Sequence, residues 1–458
     1  MPARVPLTFQ QQWLWRLTQN HSSWRCVAAY TFRLRGPLSI PLLRQSFEEV
    51  IRRHVSLRAR IDVVDGVPQQ VVEDILELTL HGEPVAGTPG AEIEASARRC
   101  VEEFCDRTVD QITGPFWAAQ LLELSVEEHW LVLAMHRLIG DCASIEQTYH
   151  EIQALYEALV QGLPSPLKEP ARYTDYALTQ HRTSLDWLKR HEDYWSQRLA
   201  GAQPIQWSSR SDRAVMAAPP LGKMHCFLGE ALSTELREFA RRARTLAATV
   251  MMAVYCAVLS RWSPQTDFVL PVNVAGRQTE HRSVVGYFSY VLFLRIQLTG
   301  SETFNEILGH LGNEFFSSLA HQDFGRMAMQ HPALLRGTLF QWMTWHPEET
   351  SVPPKPSLPK QPVERISVRD FGEGLTIVPP GMTALEITFF DASGGLHAFG
   401  SYRADLFTAS EMGQFADDLR RATEVFVRNP ETRIAEILGR FDRPRETNVR
   451  AITAARLS

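Results

Sequence analysis

Residues 129–162 read HWLVLAMHRLIGDCASIEQTYHEIQALYEALVQG, and three patterns succeed one another within them. The run Trp130 to His136 is rich in Leu, Val and Trp and follows a polar turn at Ser125 to Glu128, which predicts a strand. Ile145, Tyr149, Ile152, Tyr156 and Leu159 recur at spacings of 4, 3, 4 and 3, which places them on one face of a helix. Ser144 with Gln147 three residues later has capping-box spacing, so the helix is expected to begin there. Between strand and helix lie His136, Arg137, Asp141 and Cys142, four polar or reactive groups within seven residues. A helix N-terminus offers free N–H groups and a partial positive charge, suited to an anionic intermediate or a thiolate. The same residues would equally serve a plain helix cap with a hydrogen-bonded His–Asp pair and no chemistry. Local spacing leaves both readings open.

The totals narrow the classes. The chain has 458 residues, 44% hydrophobic and 22% charged, enough for two domains or one large two-part unit. A formal net charge of −5 argues against nucleic acid or an anionic membrane as a general partner. No apolar run approaches the roughly 18 residues of a membrane span, and MPARVPLTFQQQ lacks the apolar segment of a signal peptide. Six cysteines scattered through apolar surroundings suggest reduced thiols in a cytoplasmic protein. Cys100 and Cys105, five apart, fit no zinc spacing, and no phosphate loop, metal cluster or nucleophile elbow stands out. No metal and no bound cofactor is therefore expected.

Along the chain, PLTFQQQWLWRL (6–17) predicts a helix with Phe9, Trp13 and Leu17 on one stripe. Residues 27–36 alternate as a strand, Pro41 to His54 read as a helix, and Asp65-Gly66 between apolar runs signals a hairpin. A helix over 91–107 and strands at about 116–124 and 129–136 complete a first half. Gly201 to Pro220 is polar and is the best linker. The second half opens with a strand (Lys223 to Leu228) and helices at about 232–245 and 248–262, the latter apolar on most faces and so buried. Residues 347–366 contain six prolines and are expected to be an irregular loop. Two further strands around a turn at Asp391 to Gly395 and a helix near 409–428 follow.

HRLIGDCAS (136–144) resembles the central motif of the condensation domains of nonribosomal peptide synthetases, His-His-x-x-x-Asp-Gly-x-Ser. His136, Asp141 and Ser144 match; Arg137 stands at the second histidine and Cys142 at the glycine. Thr8, Phe9, Gln11, Gln12, Leu14 and Trp15 fit the family's first signature, Ser-Phe-Ala-Gln-Gln-Arg-Leu-Trp. RRHVSLRARI (52–61) resembles Arg-His-Glu-x-Leu-Arg-Thr-x-Phe, which implies that Arg58 pairs with the motif aspartate, Asp141, and holds the loop. YTDYALTQ (173–180), DYWSQRLAG (193–201), Asn273 to Arg277, Gly286, Phe288, Arg295, HQDFGRM (321–327) and TLFQWMTWH (338–346) continue the family's signatures in order. Tyr290 and Val291 replace its Asn-Thr. RDFGEGL (369–375) is similar to a loop of plant-type coenzyme-A acyltransferases.

The resemblance implies an α/β fold of two chloramphenicol-acetyltransferase-like lobes, 1–180 and 181–458, forming a V-shaped pseudo-dimer around a central tunnel. Phosphopantetheine arms of peptidyl or acyl carrier proteins would enter that tunnel, with Tyr290, Trp342 and Trp345 among its lining and the protein a monomer. The family joins a carrier-bound thioester to an amine, which makes His136, Arg137 and Asp141 the candidate catalytic set, with Arg58, Cys142 and Ser144 supporting the motif. Arginine stays protonated and cannot act as the base usually credited to the second histidine. X domains of glycopeptide synthetases carry the same His-to-Arg change, form no bond and recruit haem monooxygenases. Cyclisation domains, with Asp-x-x-x-x-Asp-x-x-Ser, work without either histidine. Two expectations follow: an acyltransferase forming an amide or ester, or a degenerate domain that binds carrier proteins or a monooxygenase. Cys142 reads either as a nucleophile beside Arg137 or as a small residue in the glycine's space.

Overall fold

The computed structural model describes residues 3–21, 24, 26–74, 80, 82–88, 90–107, 115–207, 219–321, 326–344, 364–366, 378–392 and 394–438. Its strands form three sheets. The smallest joins β1 (Ala3–Pro6), β4 (Val67–Val72) and β3 (Ala59–Val64), in that order. The second runs β12 (Glu364–Ile366), β2 (Val27–Arg35), β7 (Glu128–His136), β6 (Trp117–Ser125), β5 (Gly82–Pro84). The third runs β10 (Tyr290–Gln297), β9 (Asp267–Val274), β11 (Thr338–Thr344), β13 (Leu385–Ala392), β14 (Gly395–Arg403), β8 (Leu221–Phe227). The helices packed around them include α1 (Phe9–Asn20), α2 (Ile40–Arg53), α3 (Ala91–Arg107), α4 (Cys142–Val160), α5 (Tyr173–His181) and α6 (Leu185–Arg198) in the first part of the chain. The rest are α7 (Glu230–Arg242), α8 (Ala247–Trp262), α9 (Phe304–Ala320), α10 (Arg326–Gln330), α11 (Ala409–Arg428) and α12 (Ile434–Leu438).

Strand β7 explains why its sequence is apolar without alternation. It lies in the middle of its sheet with both faces covered. Leu131, Leu133 and Met135 pack into the main core with Ile145 and Ile152 of α4, while Trp130 and Val132 meet Ile93, Ala97 and Val101 of α3. A strand buried on both faces reads as a continuous hydrophobic run. Helix α8 is likewise buried nearly all round, between α7, α9 and α11. No single helix among the described residues is long and apolar enough to cross a membrane.

Local chemistry sets the turns. Asp65 (φ 51°) and Gly66 (φ 77°) both take left-handed backbone in the two-residue β3–β4 hairpin, the geometry that Asp-Gly favours. Three expectations need correction. Helix α4 begins at Cys142, because Asp141 rather than Ser144 is its N-cap, with Ser144 at the third helical position closing the capping box. The proline-rich stretch is not irregular throughout: Glu364–Ile366 form a strand antiparallel to β2, while residues 345–363 lie outside the described set. In α1, Gln10 and Gln11 are as buried as Trp13, and Phe9 is only half-buried, since polar partners wait on the inner face.

Candidate functional site

The site is built where β7 ends and α4 begins. His136 terminates β7 with 0% exposure, its N–H donating to the Phe116 carbonyl and its Nδ1 accepting from the Leu138 N–H at 3.1 Å. The ring is thereby fixed, 5.3 Å from that of Phe116. Arg137 follows with 2% exposure, its N–H donating to the Cys26 carbonyl at 2.9 Å and its Nη2 lying 4.0 Å from Cys142 Sγ. Burial pulls the guanidinium down, the neighbouring Cys142, Cys26, Tyr287 and Tyr30 push it up, and the net direction is up. A buried cation that stays charged is the result.

Asp141 is the knot of the loop. Its Oδ1 accepts from the Ser144 N–H (2.9 Å), the Ser144 hydroxyl (2.8 Å) and Arg277 Nη2 (2.6 Å), and its Oδ2 accepts from the Phe288 N–H (3.3 Å). Ser144 Oγ also accepts from the Gly286 N–H and from Arg277 Nη2. Arg277 spends Nη1 on the carbonyls of His281 and Val284, and its guanidinium stacks 4.5 Å from the Phe288 ring centroid. Charge-assisted bonds of this density hold geometry firmly. From the other side, Gln11 Nε2 donates to the Leu138 carbonyl at 2.6 Å, so the α1 signature braces the loop directly.

The expected Arg58–Asp141 pair is not formed. Arg58 sits in the turn Val55–Arg58 after α2, and its guanidinium donates to the carbonyls of Ile51, Glu73 and Asp74. It closes the end of α2 against β4, while Arg277 takes the carboxylate. The signature NVAGR does contain Arg277, but nothing local ties it to a residue 136 positions earlier. Tyr290 is wholly buried at the start of β10, against the backbone of Gly276. Trp342 is half-buried near Phe389, and Trp345 lies outside the described residues, as does the segment RDFGEGL. Cys142 is the partly exposed member of the motif, whereas His136, Arg137, Asp141 and Ser144 are buried.

Gly286 has a role that spacing alone does not reveal. A Cβ there would come 2.1 Å from the Tyr173 ring. That ring cannot retreat, because its hydroxyl donates to the Tyr287 carbonyl at 2.6 Å and contacts Thr8 Oγ1. Gly286→Ala is therefore expected to destabilise by about 1–3 kcal/mol, read as a lowered thermal midpoint. An unchanged midpoint would show that the ring has room to move.

Elsewhere, a cleft of about 550 Å³ lies between α6, β10 and α9. Its principal charges already pair, Arg198 with Glu314 and Arg295 with Asp267, and no motif residue lines it. Among the described residues no group of three or more His, Cys, Asp or Glu is placed to hold a metal.

An α/β scaffold with two large mixed sheets, carrying this loop at a strand end, defines a chloramphenicol-acetyltransferase-like protein. The family model described as Condensation domain matches residues 2–443, and the chain belongs to that family. It is 27% identical, over 94% of its length, to a linear gramicidin synthase of Brevibacillus parabrevis, and spans 8% of that protein. Among solved structures it is similar to the complex of the X-domain and OxyB from teicoplanin biosynthesis (22% identity, TM-score 0.75, covering 95% of this chain and 96% of that one). It is also similar to the condensation domain from the monacolin K polyketide synthase MokA (17% identity, TM-score 0.77, 94% and 99% covered).

Proposed function

We propose that this chain is a condensation-family domain of peptide assembly that docks carrier proteins bearing acyl or peptidyl thioesters without forming the amide bond itself. The observation that carries this reading is Arg137. It stands at the second histidine of the motif, 2% exposed, with its guanidinium packed against Cys142. A guanidinium cannot accept the proton of an attacking amine. Loss of a general base costs about 10²–10⁴-fold in rate. His136 does not substitute, since its ring is sealed and its Nδ1 is occupied by a backbone N–H.

In this reading the two lobes, divided near residue 180, close around a tunnel that receives phosphopantetheine arms, and the protein works as a cytoplasmic monomer with no cofactor of its own. The teicoplanin X-domain, similar in fold, is known in complex with OxyB. A haem monooxygenase is accordingly the second kind of partner to test. A competing reading, an acyltransferase making an amide or ester, is favoured by the intact Asp141–Ser144–Arg277 knot, which keeps the loop in ordered geometry.

The test mixes the purified chain with fluorescent aminoacyl- and peptidyl-loaded carrier proteins and follows anisotropy and product mass together. Saturable binding with no new amide is expected. An amide or ester product that disappears in Asp141→Ala would establish the acyltransferase instead, and absence of binding would remove the docking role.

A further inference from the structure

We propose that His225 and His397 form an acid-sensitive joint, which fastens the edge strand β8 to β14 at neutral pH and loosens it once both rings carry a proton. Strand β8 lies at the end of the third sheet, and among the described residues β14 is the strand it pairs with. Met224 and Cys226 turn inward, Cys226 Sγ reaching the Ala416 carbonyl of α11. Side chains alternate along a strand, so Lys223, His225 and Phe227 share the opposite, solvent-facing side. There they stand across from Ser401, Phe399 and His397 of β14. His225 Nε2 and His397 Nδ1 are 3.0 Å apart. The ring planes differ by 10° and their centres are 5.3 Å apart, which sets the rings edge to edge, an N–H of one aimed at the lone pair of the other. His225 also stacks on Phe399 (4.6 Å, 10°) and His397 on Phe227 (4.5 Å, 24°), so neither ring turns away without giving up an aromatic contact.

Counting protons shows when the joint gives way. The neutral pair has one N–H and one lone pair at the junction. A first proton leaves an imidazolium donating to a neutral ring, and the bond survives. A second proton sets N–H against N–H and places two positive charges at hydrogen-bond distance, so the two rings titrate as a coupled unit.

The surroundings do not offset that charge. On the same face Lys223 is itself a cation. On β13, Phe390 stands across from His397 and Thr388 from Phe399, while Glu386, across from Ser401, accepts from Gln341. Behind β14, Arg237 of α7 pairs with Asp391, and Glu230 opens α7 beside Gly395. Behind β8, Asp417 and Arg420 of α11 lie toward Cys226 on the inner face. Burial lowers both histidines, the charge of His225 lowers His397 further, and no carboxylate counteracts either effect. Groups lowered on folding contribute stability that is complete above the ordinary histidine value of about 6.5 and is lost as pH falls through the lowered values.

The experiment follows deuterium exchange of the full chain by mass spectrometry from about pH 7.5 to about pH 4.5, a range that brackets the histidine value. Rates are expressed as protection factors, which remove the intrinsic pH dependence of exchange and report local opening. Protection over residues 221–227 and 395–403 is expected to fall about 3–10-fold on acidification, while the central strands β9 and β11 keep theirs. The double variant His225→Phe with His397→Phe retains two stacked rings and cannot titrate, so its β8 protection should not respond to pH. If that variant fails to fold, His397→Gln serves instead: it still offers an acceptor to His225 and leaves one titrating ring, and its loss of protection should be shallower in pH. The proposal is overturned if wild-type β8 keeps its protection throughout, or if β9 and β11 loosen equally with it. It is overturned as well if the double variant loosens as wild type does, or if His397→Gln responds as steeply as wild type.

Discussion

Asp141→Ala is expected to lower folding stability by about 3–5 kcal/mol, read as a shift of the urea unfolding midpoint, whereas Asp141→Asn is expected to lose about 1–3 kcal/mol. The carboxylate side chain is 4% exposed and its partner Arg277 9% exposed, so neither finds water if the other is removed. Truncation leaves the Arg277 guanidinium, the Ser144 N–H and the Phe288 N–H without their shared acceptor. An uncompensated buried charge costs more than the intact pair gains. Asparagine keeps an acceptor oxygen for Ser144 but offers an N–H₂ where a second acceptor is needed, which is why its effect is smaller. Because Asp141 caps α4 while Arg277 and Phe288 belong to the later half of the chain, the loss should also loosen the contact between the two. The double variant Asp141→Ala with Arg277→Met should recover part of the stability, since it removes both charges. A loss below about 1 kcal/mol for Asp141→Ala, in the range of an exposed pair, would show that the knot contributes little.

What can be read from the sequence follows from how far each interaction reaches along the chain. The β7–loop–α4 unit is legible because strand and helical stripe are local, although the cap falls at Asp141 and not at Ser144. The Asp65-Gly66 hairpin is legible because left-handed backbone is a property of those two residues. Helix α11 spans Ala409–Arg428, as expected from the sequence, and the structure shows Thr408 capping it. The ordered family signatures point to the scaffold. Long-range geometry is not available in this way. Arg58 and Arg277 both lie in family-like signatures, and the resemblance points to Arg58, whereas Arg277 is the arginine that meets Asp141. The choice is made in space, where the segment from Gly276 to Phe288 folds over the motif loop. The strand Glu364–Ile366 is hidden for a similar reason, since three residues after a proline-rich stretch carry no period, and they become a strand by pairing with Thr31 to Arg33. Gln10 and Gln11 fall outside the apolar stripe of Phe9, Trp13 and Leu17. They are buried because Tyr176, Gln180, Gln70 and the Leu138 carbonyl supply polar partners from other elements.

A second charged cluster, between α2 and α4, supports the second large prediction. Glu151 Oε2 accepts from Arg53 Nε and faces His54 Nε2, both at 3.0 Å, and Oε1 accepts from Gln147 Nε2 at 2.8 Å. The Arg53 and Glu151 side chains are 3% and 2% exposed. Arg53 also reaches the Lys168 carbonyl and Glu169, tying the chain beyond α4 back to α2. Glu151→Leu fills the space but removes the buried partner of Arg53, leaving it only the exposed Glu169 carboxylate and the Lys168 carbonyl, so a loss of about 3 kcal/mol is expected. The acid limb of the stability curve gives an independent check. Burial pushes the Glu151 carboxyl up, but the hydrogen bond and charge of His54, then the hydrogen bonds of Gln147 and Arg53, outweigh it and hold the group below its ordinary value. A carboxyl depressed on folding contributes stability that is complete above the unfolded value, about 4.3, and disappears as pH falls through the lower folded value. The gap between wild type and Glu151→Gln should therefore be widest near neutrality and narrow below about pH 4. A gap that stays constant from about pH 7 to about pH 3, measured by urea unfolding at each pH, would mean that the carboxylate is not what joins α2 to α4.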